Sequence, residues 1–526
     1  MFPSNYKKFD KLDLLFISRI FILFFSIILF YIGLLSYPGS KILFILFSLV
    51  INLYILLSLT YRSFFFDIFI SIFFWLGFYF KFILHISLRK YQFSEAGQNI
   101  EYSIDLLNKV LIISSVGILA FLLSFIMKKF FFLNHKEYKN NLLYLKKFYF
   151  NYKKKILIFF VLLILVFAYI NFSYSIYQKG IRNNENNIFL TIFFGWLVLF
   201  GFSSFAALIL SFEIKNKNNW IYLILSFFEN IVSSFSMLSR SFFFNFFSIF
   251  IGYLYKCNFK KKKNFFINIS IILALFFLIF FLYKIPNYLR SVNLENRKQS
   301  QIIKDEIIIK DNNSKKMSQE TLALKDDNII NKEQSNNFNL ISELISKNSL
   351  IYDFFLIATD RFVGIDGVIS VVNYHYKNPQ IDNWQMYHAS WKEKFNPGNL
   401  SFYDTHYVYE ASASKKELNI KLTHQITIPG FIAHTYISGS VLFLFFVCFV
   451  LNLVIYFFEF NLNKYISNII LTSLFSQILA YRLIHFGYVP SQSYLLIAAI
   501  IGNILLIIFL NYLLNIFYDF KKKKTS

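Results

Sequence analysis

Residues 14–35 read LLFISRIFILFFSIILFYIGLL, a run of 22 residues in which Arg19 is the only charged side chain. A helix of about 20 apolar residues is long enough to cross the hydrocarbon core of a lipid bilayer. The run is longer than the apolar part of a signal peptide, and no small-residue cleavage site precedes the second apolar run. The sequence therefore predicts a helix that anchors the chain in a membrane.

Eleven further apolar runs of similar character follow along the chain. Of the 526 residues, 56% are hydrophobic and 16% are charged, whereas soluble proteins carry about 25% charged residues. This composition excludes a soluble protein and predicts an all-α polytopic membrane protein with about 12 transmembrane helices, the run at 241–255 being the shortest. The eleven runs lie at 42–60, 64–87, 107–127, 155–177, 188–212, 219–238, 241–255, 264–286, 430–457, 466–484 and 494–517.

The formal net charge of +24 follows the predicted topology. If the N-terminus is cytoplasmic, every lysine-rich connection falls on the same side of the membrane, as the positive-inside rule requires. Both termini are then cytoplasmic, and nucleic acid is not an expected partner. The lysine-rich segments are residues 7–11, 128–155, 215–217, 256–263 and 521–524.

On this topology, residues 287–429 form one large extracytoplasmic loop, which contains no cysteine. Its first part is rich in Asn, Lys, Asp and Ser, and its second part carries aromatic residues, histidines, glycines and prolines. The sequence thus predicts an N-terminal bundle of about nine spans (1–286), a polar low-complexity segment (287–349), a folded cap (350–429) and a C-terminal group of three spans (430–526).

The stretch DRFVGIDGVISVVNY at 360–374 is apolar but contains three charged residues. In a further span, Asp360 and Arg361 would lie at the centre of the membrane at a cost of about 2.5–3.5 kcal/mol each. We therefore expect a helix that lies at the outer interface or dips back into the bundle, with its polar groups facing water, protein or a bound anion. Gly364 and Gly367 leave one face without side chains, so another backbone or a lipid can approach it closely.

Arg361 is the first candidate functional residue, because a guanidinium group is always protonated and offers a planar set of donors that fits phosphate oxygens. The alternative is a local ion pair with Asp360 or Asp366 that fixes the helix to the cap. Both interpretations stay open on the sequence alone.

Other charged residues near the predicted outer face are further candidates. Arg240 follows Ser239 in SMLSRS and is either a second phosphate ligand or an arginine that anchors the chain at the interface. Lys81 lies inside the run at 64–87, where an ionisable group indicates function, although its long stem can reach the interface. Glu229 is a possible counter-ion for one of these cations.

Several histidines cluster around the entry to the run at 430–457 and include candidates for a general base. A histidine has a pKa near neutral pH and can accept the proton of an attacking hydroxyl, although a histidine in a loop is often structural. Arg482 and His485, near the end of the run at 466–484, could line the same cavity. The three histidines are His406, His424 and His434.

Motifs for metal and nucleotide chemistry are not found in the sequence. No group of His, Cys, Asp and Glu has metal-ligand spacing, and neither a glycine-rich phosphate loop nor a Gly-x-Ser-x-Gly motif occurs. The sequence therefore predicts no metal site and no cofactor.

The layout of many spans with one large loop late in the chain is accompanied by four short motifs. These are FFWLGFYFK (73–81), SMLSRS (236–241), DRFVGIDGV (360–368) and ITIPGFIAHTYISGS (426–440). With this layout the chain resembles the Wzy-type O-antigen polymerases, which are GT-C-like glycan polymerases, and their relatives the O-antigen ligases.

The resemblance implies metal-independent polymerisation of polyprenyl-diphosphate-linked oligosaccharide repeat units at the outer face of the bacterial inner membrane, as a glycosyltransferase step in lipopolysaccharide or related surface-polysaccharide synthesis. The lipid-linked oligosaccharide, membrane lipid and a chain-length regulator are the implied partners. The expected catalytic residues are Arg361, Arg240 and His424, and the expected substrate-binding residues are Lys81, Asp360, Asp366, Ser239, Arg482 and His434.

Three other functions are compatible with the layout. A flippase or other transporter often shows two related halves, but no repeat relates residues 1–263 to 264–526, and the large loop occurs in only one half. The second compatible function is that of an O-antigen ligase, and the third is that of a glycan-binding receptor. Other polyprenyl-phosphate-sugar transferases are less favoured, because the first predicted outer loop, SYPGSK at 36–41, contains no acidic residue.

Overall fold

The structure is a computed structural model of the chain. The described residues belong to one compact unit, formed by residues 1–276 and 362–526. The described residues are 14–60, 65–87, 93, 100–131, 142–178, 188–214, 220–239, 242–256, 362, 364–380, 382–392, 430–486 and 490–525.

All regular structure within these ranges is helical, and eight helices are long and apolar enough to cross a membrane. The prediction of a polytopic α-helical membrane protein is therefore confirmed. The eight are α1 (Leu14–Ser36), α2 (Lys41–Ser58), α3 (Phe65–Ser87), α4 (Ile104–Phe131), α6 (Lys153–Ser173), α7 (Phe189–Glu213), α13 (Val441–Ile466) and α15 (Pro490–Thr525).

Seven shorter helices complete the described part of the chain. Three of them correspond to predicted spans: α8 and α14 have 17 residues each and α9 has 15. The run at 264–286 lies outside the described residues, so the count of twelve spans stays a prediction. The seven are α5 (Leu143–Asn151), α8 (Trp220–Ser236), α9 (Phe242–Lys256), α10 (Gly364–Lys377), α11 (Asn383–Lys392), α12 (Phe431–Tyr436) and α14 (Ile469–His485).

Helices α3 and α7 form the centre of the bundle. Within an apolar 18-residue stretch of each helix, 78% of the residues of α3 and α7 are buried, compared with 17% for α1 and 22% for α6 and α15. The outer helices expose large apolar side chains such as Phe21 and Phe189. In a membrane, lipid tails cover such a surface. The central position of α3 brings its few charged residues into contact with several other helices.

A buried polar network surrounds the first turn of α3. The Asp67 carboxylate lies 2.9 Å from Lys128 Nζ on α4, accepts a hydrogen bond from Tyr54, and lies beside Asn452 of α13. Glu459, also on α13, accepts hydrogen bonds from the backbone N–H groups of Phe65 and Phe66. A carboxylate at this position satisfies the free N–H groups of a helix N-terminus and interacts favourably with its dipole. These contacts tie the start of α3 to α2, α4 and α13.

Helix α10 corresponds to the expected helix in the stretch 360–374. Residues 364–372 are all buried, and α10 packs against α4, α12 and the second half of α3. Of the two placements that the sequence allowed, this packing favours the one inside the bundle.

Candidate functional site

Near the other end of α3, Lys81 and Asp366 form a buried ion pair. Lys81 Nζ lies 2.7 Å from Asp366 Oδ2, and both side chains are 0% exposed. Lys81 also donates a hydrogen bond to the backbone carbonyl of Phe362, at 3.1 Å. Asp366 lies in the first turn of α10, where the helix dipole favours a negative charge. The pair therefore fastens the start of α10 to the central helix of the bundle.

Two backbones approach each other closely beside this ion pair. Gly364, the first residue of α10, has a positive φ of 20°, and a Cβ added to it would lie 2.6 Å from the carbonyl oxygen of Gly77. Gly77 belongs to a π-helical segment of α3, Trp75–Phe80, which ends immediately before Lys81. Only glycine fits at position 364, because any side chain would collide with the backbone of α3.

We expect Gly364→Ala to destabilise the protein by about 1–3 kcal/mol, the range for adding atoms to a packed interior, and to displace the start of α10. Thermal unfolding of the purified protein in detergent measures the loss. Gly502→Ala on α15 is the matched control, because nothing lies within 4 Å of its added Cβ. The control should be neutral or stabilising by up to about 1 kcal/mol. Equal stability of the two variants would contradict the close approach.

His485 lies against the same part of α3. Its ring stacks on Phe73 at 5.2 Å between centroids and lies 5.7 Å from Phe362. The His485 ring also packs against Gly77, because a Cβ added to Gly77 would lie 3.1 Å from His485 Cε1. His485 is the last residue of a second π-helical segment, Leu479–His485, on α14.

The residue before α12, Gly430, lies beside His485 and Phe486. The backbone N–H of Gly430 donates to the carbonyl of Phe486, at 3.2 Å, and Gly430 has a φ of 84°. The Lys81 site, as we name it, thus consists of Gly77, Lys81, Phe362, Gly364, Asp366, Gly430 and His485.

Two of the three π-helical segments in the described ranges adjoin the Lys81 site. Such segments are rare and are frequent at functional sites, since they shift the side chains of a helix out of regular register. Burial raises the pKa of Tyr102, in the segment before α4, to about 12, against a smaller lowering by a hydrogen bond with the Phe93 backbone, and the charge of Asp366 adds a still smaller increase. The site is therefore a buried, polar junction of α3, α10, α12 and α14.

The structure brings some of the predicted site residues together. Lys81 and Asp366 contact each other, and Arg482 is buried in the same π-helical segment as His485. His434 is buried in α12, one turn after Gly430, with its ring 5.9 Å from that of Tyr387.

Other predicted residues make contacts elsewhere in the structure or lie outside the described residues. The backbone N–H of Ser239 donates to the carbonyl of Ser234, at the end of α8. No group of three or more potential metal ligands occurs in the described part of the chain. The predicted residues outside the described ranges are Arg240, Asp360, Arg361, His406 and His424.

The structure bears on two pairings that the sequence suggested. Asp366, which the sequence offered as a partner of Arg361, pairs with Lys81, and Arg361 lies outside the described residues. Glu229 was offered as a possible counter-ion for Lys81, Arg240 or Arg361. It bonds to the hydroxyls of Ser203 and Ser233, whereas Lys81 pairs with Asp366. The physical reason is location, since α8 packs against α6, α7 and α9. The two arginines lie outside the described residues.

Sequence reasoning missed the role of Gly77 and Gly430 and the central place of His485. The available signals were Gly77 four residues before an intramembrane lysine and Gly430 directly after a proline.

Comparison with known proteins gives no match, either to a family model, to a curated protein or to a solved structure. The fold and the site define a polytopic α-helical membrane protein with a buried lysine–aspartate pair at a helix junction. The resemblance to Wzy-type polymerases therefore rests on the sequence alone, through its layout of apolar runs and its four short motifs.

Proposed function

We propose that this protein polymerises polyprenyl-diphosphate-linked oligosaccharide repeat units at the outer face of the bacterial inner membrane. In this proposal the chain crosses the membrane about twelve times, with both termini in the cytoplasm and residues 287–429 outside. The observation that supports it best is the hydrogen bond from Lys81 to the carbonyl of Phe362, the residue directly after Arg361 in the sequence.

The Lys81–Asp366 pair is suited to hold Phe362 and the first turn of α10 in place. Both side chains are fully buried, and separating two buried charges would leave each of them without compensation. We therefore assign Lys81 and Asp366 as positioning residues that fix the entry into α10. Arg361, one of the catalytic groups in this proposal, precedes that entry in the sequence.

The reaction is a displacement at the anomeric carbon of the growing glycan. The hydroxyl oxygen of the acceptor repeat unit attacks this carbon, and the bond from the carbon to the diphosphate oxygen breaks, so the diphosphate leaves with the electron pair. Cations held in place stabilise the charge that develops on the leaving group, and Arg361 and Arg240 supply them. The proton of the attacking hydroxyl passes to a base, for which His424 and His434 are the candidates.

The glycan ladder of cells that lack the gene tests this proposal. We expect single repeat units on the lipid anchor in these cells, a restored ladder with the wild-type protein, and no ladder with Arg361→Ala or Arg240→Ala at equal expression. Arg19→Ala is the control. It also removes an arginine, but Arg19 lies on α1, far in the sequence from the four motifs, so this variant should restore the ladder fully at equal expression.

A charge exchange between Lys81 and Asp366 tests the positioning role of the ion pair, with the glycan ladder as the measurement. Lys81→Asp and Asp366→Lys should each abolish the ladder, and the double variant with exchanged charges should restore part of it if pairing is what matters.

Different results would support other functions. An intact ladder in the deletion strain would exclude polymerisation by this protein. Full-length polymer that stays on the carrier lipid would indicate a ligase, and repeat units that never reach the outer face would indicate a transporter.

A further inference from the structure

Glu229 is a second buried ionisable group, and it lies outside the Lys81 site. It is 0% exposed in α8. Its Oε1 accepts a hydrogen bond from the Ser233 hydroxyl, at 2.9 Å, and its Oε2 lies 3.0 Å from the Ser203 hydroxyl on α7. A carboxylate in such a setting needs compensation, because burying a charge without a partner is costly.

Among the described residues, five carboxyl side chains are buried. Three of them pair with a lysine, and a fourth binds the N–H groups of a helix N-terminus. Asp67, Asp366 and Glu213 lie within 2.9 Å of Lys128, Lys81 and Lys153, respectively. Glu459 accepts two backbone N–H groups at the start of α3. Glu229 differs from these four because hydroxyl groups are its hydrogen-bond partners within the described ranges.

The hydrogen bonds of the Ser203 hydroxyl indicate whether Glu229 is ionised. The Ser203 oxygen lies 3.0 Å from Glu229 Oε2 and 3.0 Å from Asn230 Oδ1. The Asn230 amide is oriented by its N–H group, which donates to the carbonyl of Ser226 at 2.8 Å, so its oxygen faces Ser203. A hydroxyl has one proton to donate. If Glu229 were ionised, Ser203 could donate its proton to Glu229 Oε2 or to Asn230 Oδ1, but not to both. The two oxygens of the other pair would then lie 3.0 Å apart with no proton between them.

A neutral Glu229 removes this conflict. The Oε2–H group of Glu229 then donates to Ser203, and Ser203 donates to Asn230. Asn245 of α9, whose amide nitrogen lies 3.4 Å from the Ser203 oxygen, faces an acceptor in this arrangement. Every polar atom of the chain from Ser233 to Asn230 then has a partner of the correct kind.

Within the described ranges, the helices packed against α8 bring no compensating cation to Glu229. They are α6, α7 and α9, and their charged side chains lie at the helix ends, namely Lys153, Lys154 and Lys155 on α6, Glu213 on α7 and Lys256 on α9. Along a helix, ten residues correspond to about 15 Å, which separates Ser203 from Glu213. The titratable tyrosines of these helices and of α8 are Tyr169, Tyr222, Tyr253 and Tyr255.

We propose that Glu229 is a proton-binding site within the membrane bundle, a carboxylic acid that stays neutral at physiological pH and donates its proton to Ser203. This assignment is independent of the proposed polymerase function. The ligand of the site is a proton, and an alkali cation such as Na⁺ in its place is an outcome of the test.

Labelling of the full-length protein with dicyclohexylcarbodiimide tests the protonation state. The carboxyl proton moves to one nitrogen of the reagent, the carboxylate oxygen bonds to its central carbon, and rearrangement gives a stable N-acylurea that retains the whole reagent. We expect the adduct on Glu229 at neutral pH by peptide mass spectrometry, its loss in Glu229→Gln, and less adduct as the pH rises. Glu213, equally buried but paired with Lys153, is the internal control and should stay unmodified.

A second measurement covers the case in which the reagent does not reach the site. The infrared spectrum should contain a carboxylic acid C=O band that is missing in Glu229→Gln. This variant should keep wild-type thermal stability, because its amide N–H replaces the O–H donor to Ser203, whereas Glu229→Leu should lose stability. Absence of both the adduct and the band would show an ionised Glu229, and protection from labelling by Na⁺ at constant pH would show a cation site. Either result overturns the proposal.

Discussion

Replacing Lys81 by methionine should destabilise the protein by about 3–5 kcal/mol, because it leaves the Asp366 carboxylate buried and without its cation. The variant also loses the hydrogen bond to the Phe362 carbonyl. Removing both charges in Lys81→Met/Asp366→Leu should cost less than the single change, since no buried charge remains. Thermal unfolding of the purified variants in detergent measures both effects.

The control for this cycle is Lys377→Met. Lys377 is exposed at the end of α10, the same helix that carries Asp366. Loss of an exposed charge is expected to change stability by less than about 1 kcal/mol. The assignment of the pair would be wrong if Lys81→Met were no less stable than the control, or if the double variant were less stable than either single one.

The second large effect is expected at the opposite end of α3. Lys128→Met leaves Asp67 buried among Tyr54, Asn452 and the nearby Glu459, and should also cost about 3–5 kcal/mol. Adding Asp67→Asn should recover part of this loss, because an amide keeps hydrogen bonds without the charge. The same unfolding measurement applies, with Lys464→Met, an exposed lysine near the end of α13, as the control.

The two ion pairs should differ in their effect on the glycan ladder. Asp67 and Lys81 are 14 residues apart on α3, which corresponds to about 21 Å along a helix. We therefore expect Lys128→Met to lower the amount of folded protein while the folded fraction still produces a normal ladder. Lys81→Met should abolish the ladder at equal amounts of folded protein. Identical behaviour of the two variants would argue that Lys81 contributes to stability alone.

The sequence by itself determined the class of protein. An apolar run long enough to cross a bilayer is a local property, so runs such as 14–35 predict helices without knowledge of their neighbours. The sequence also singled out Lys81 and Asp366, because a charged group inside an apolar stretch is costly and needs a reason. Both residues proved to be buried parts of one site.

Only the tertiary structure decided which groups meet. Asp366 lies 285 positions after Lys81, and no sequence period connects them. The π-helical segments beside Gly77 and His485, and the contact of Glu229 with Ser203 on another helix, likewise depend on how the helices pack. The physical reason is that membrane insertion depends on the composition of each segment, whereas the partner of a buried polar group is set by packing between segments far apart in the chain.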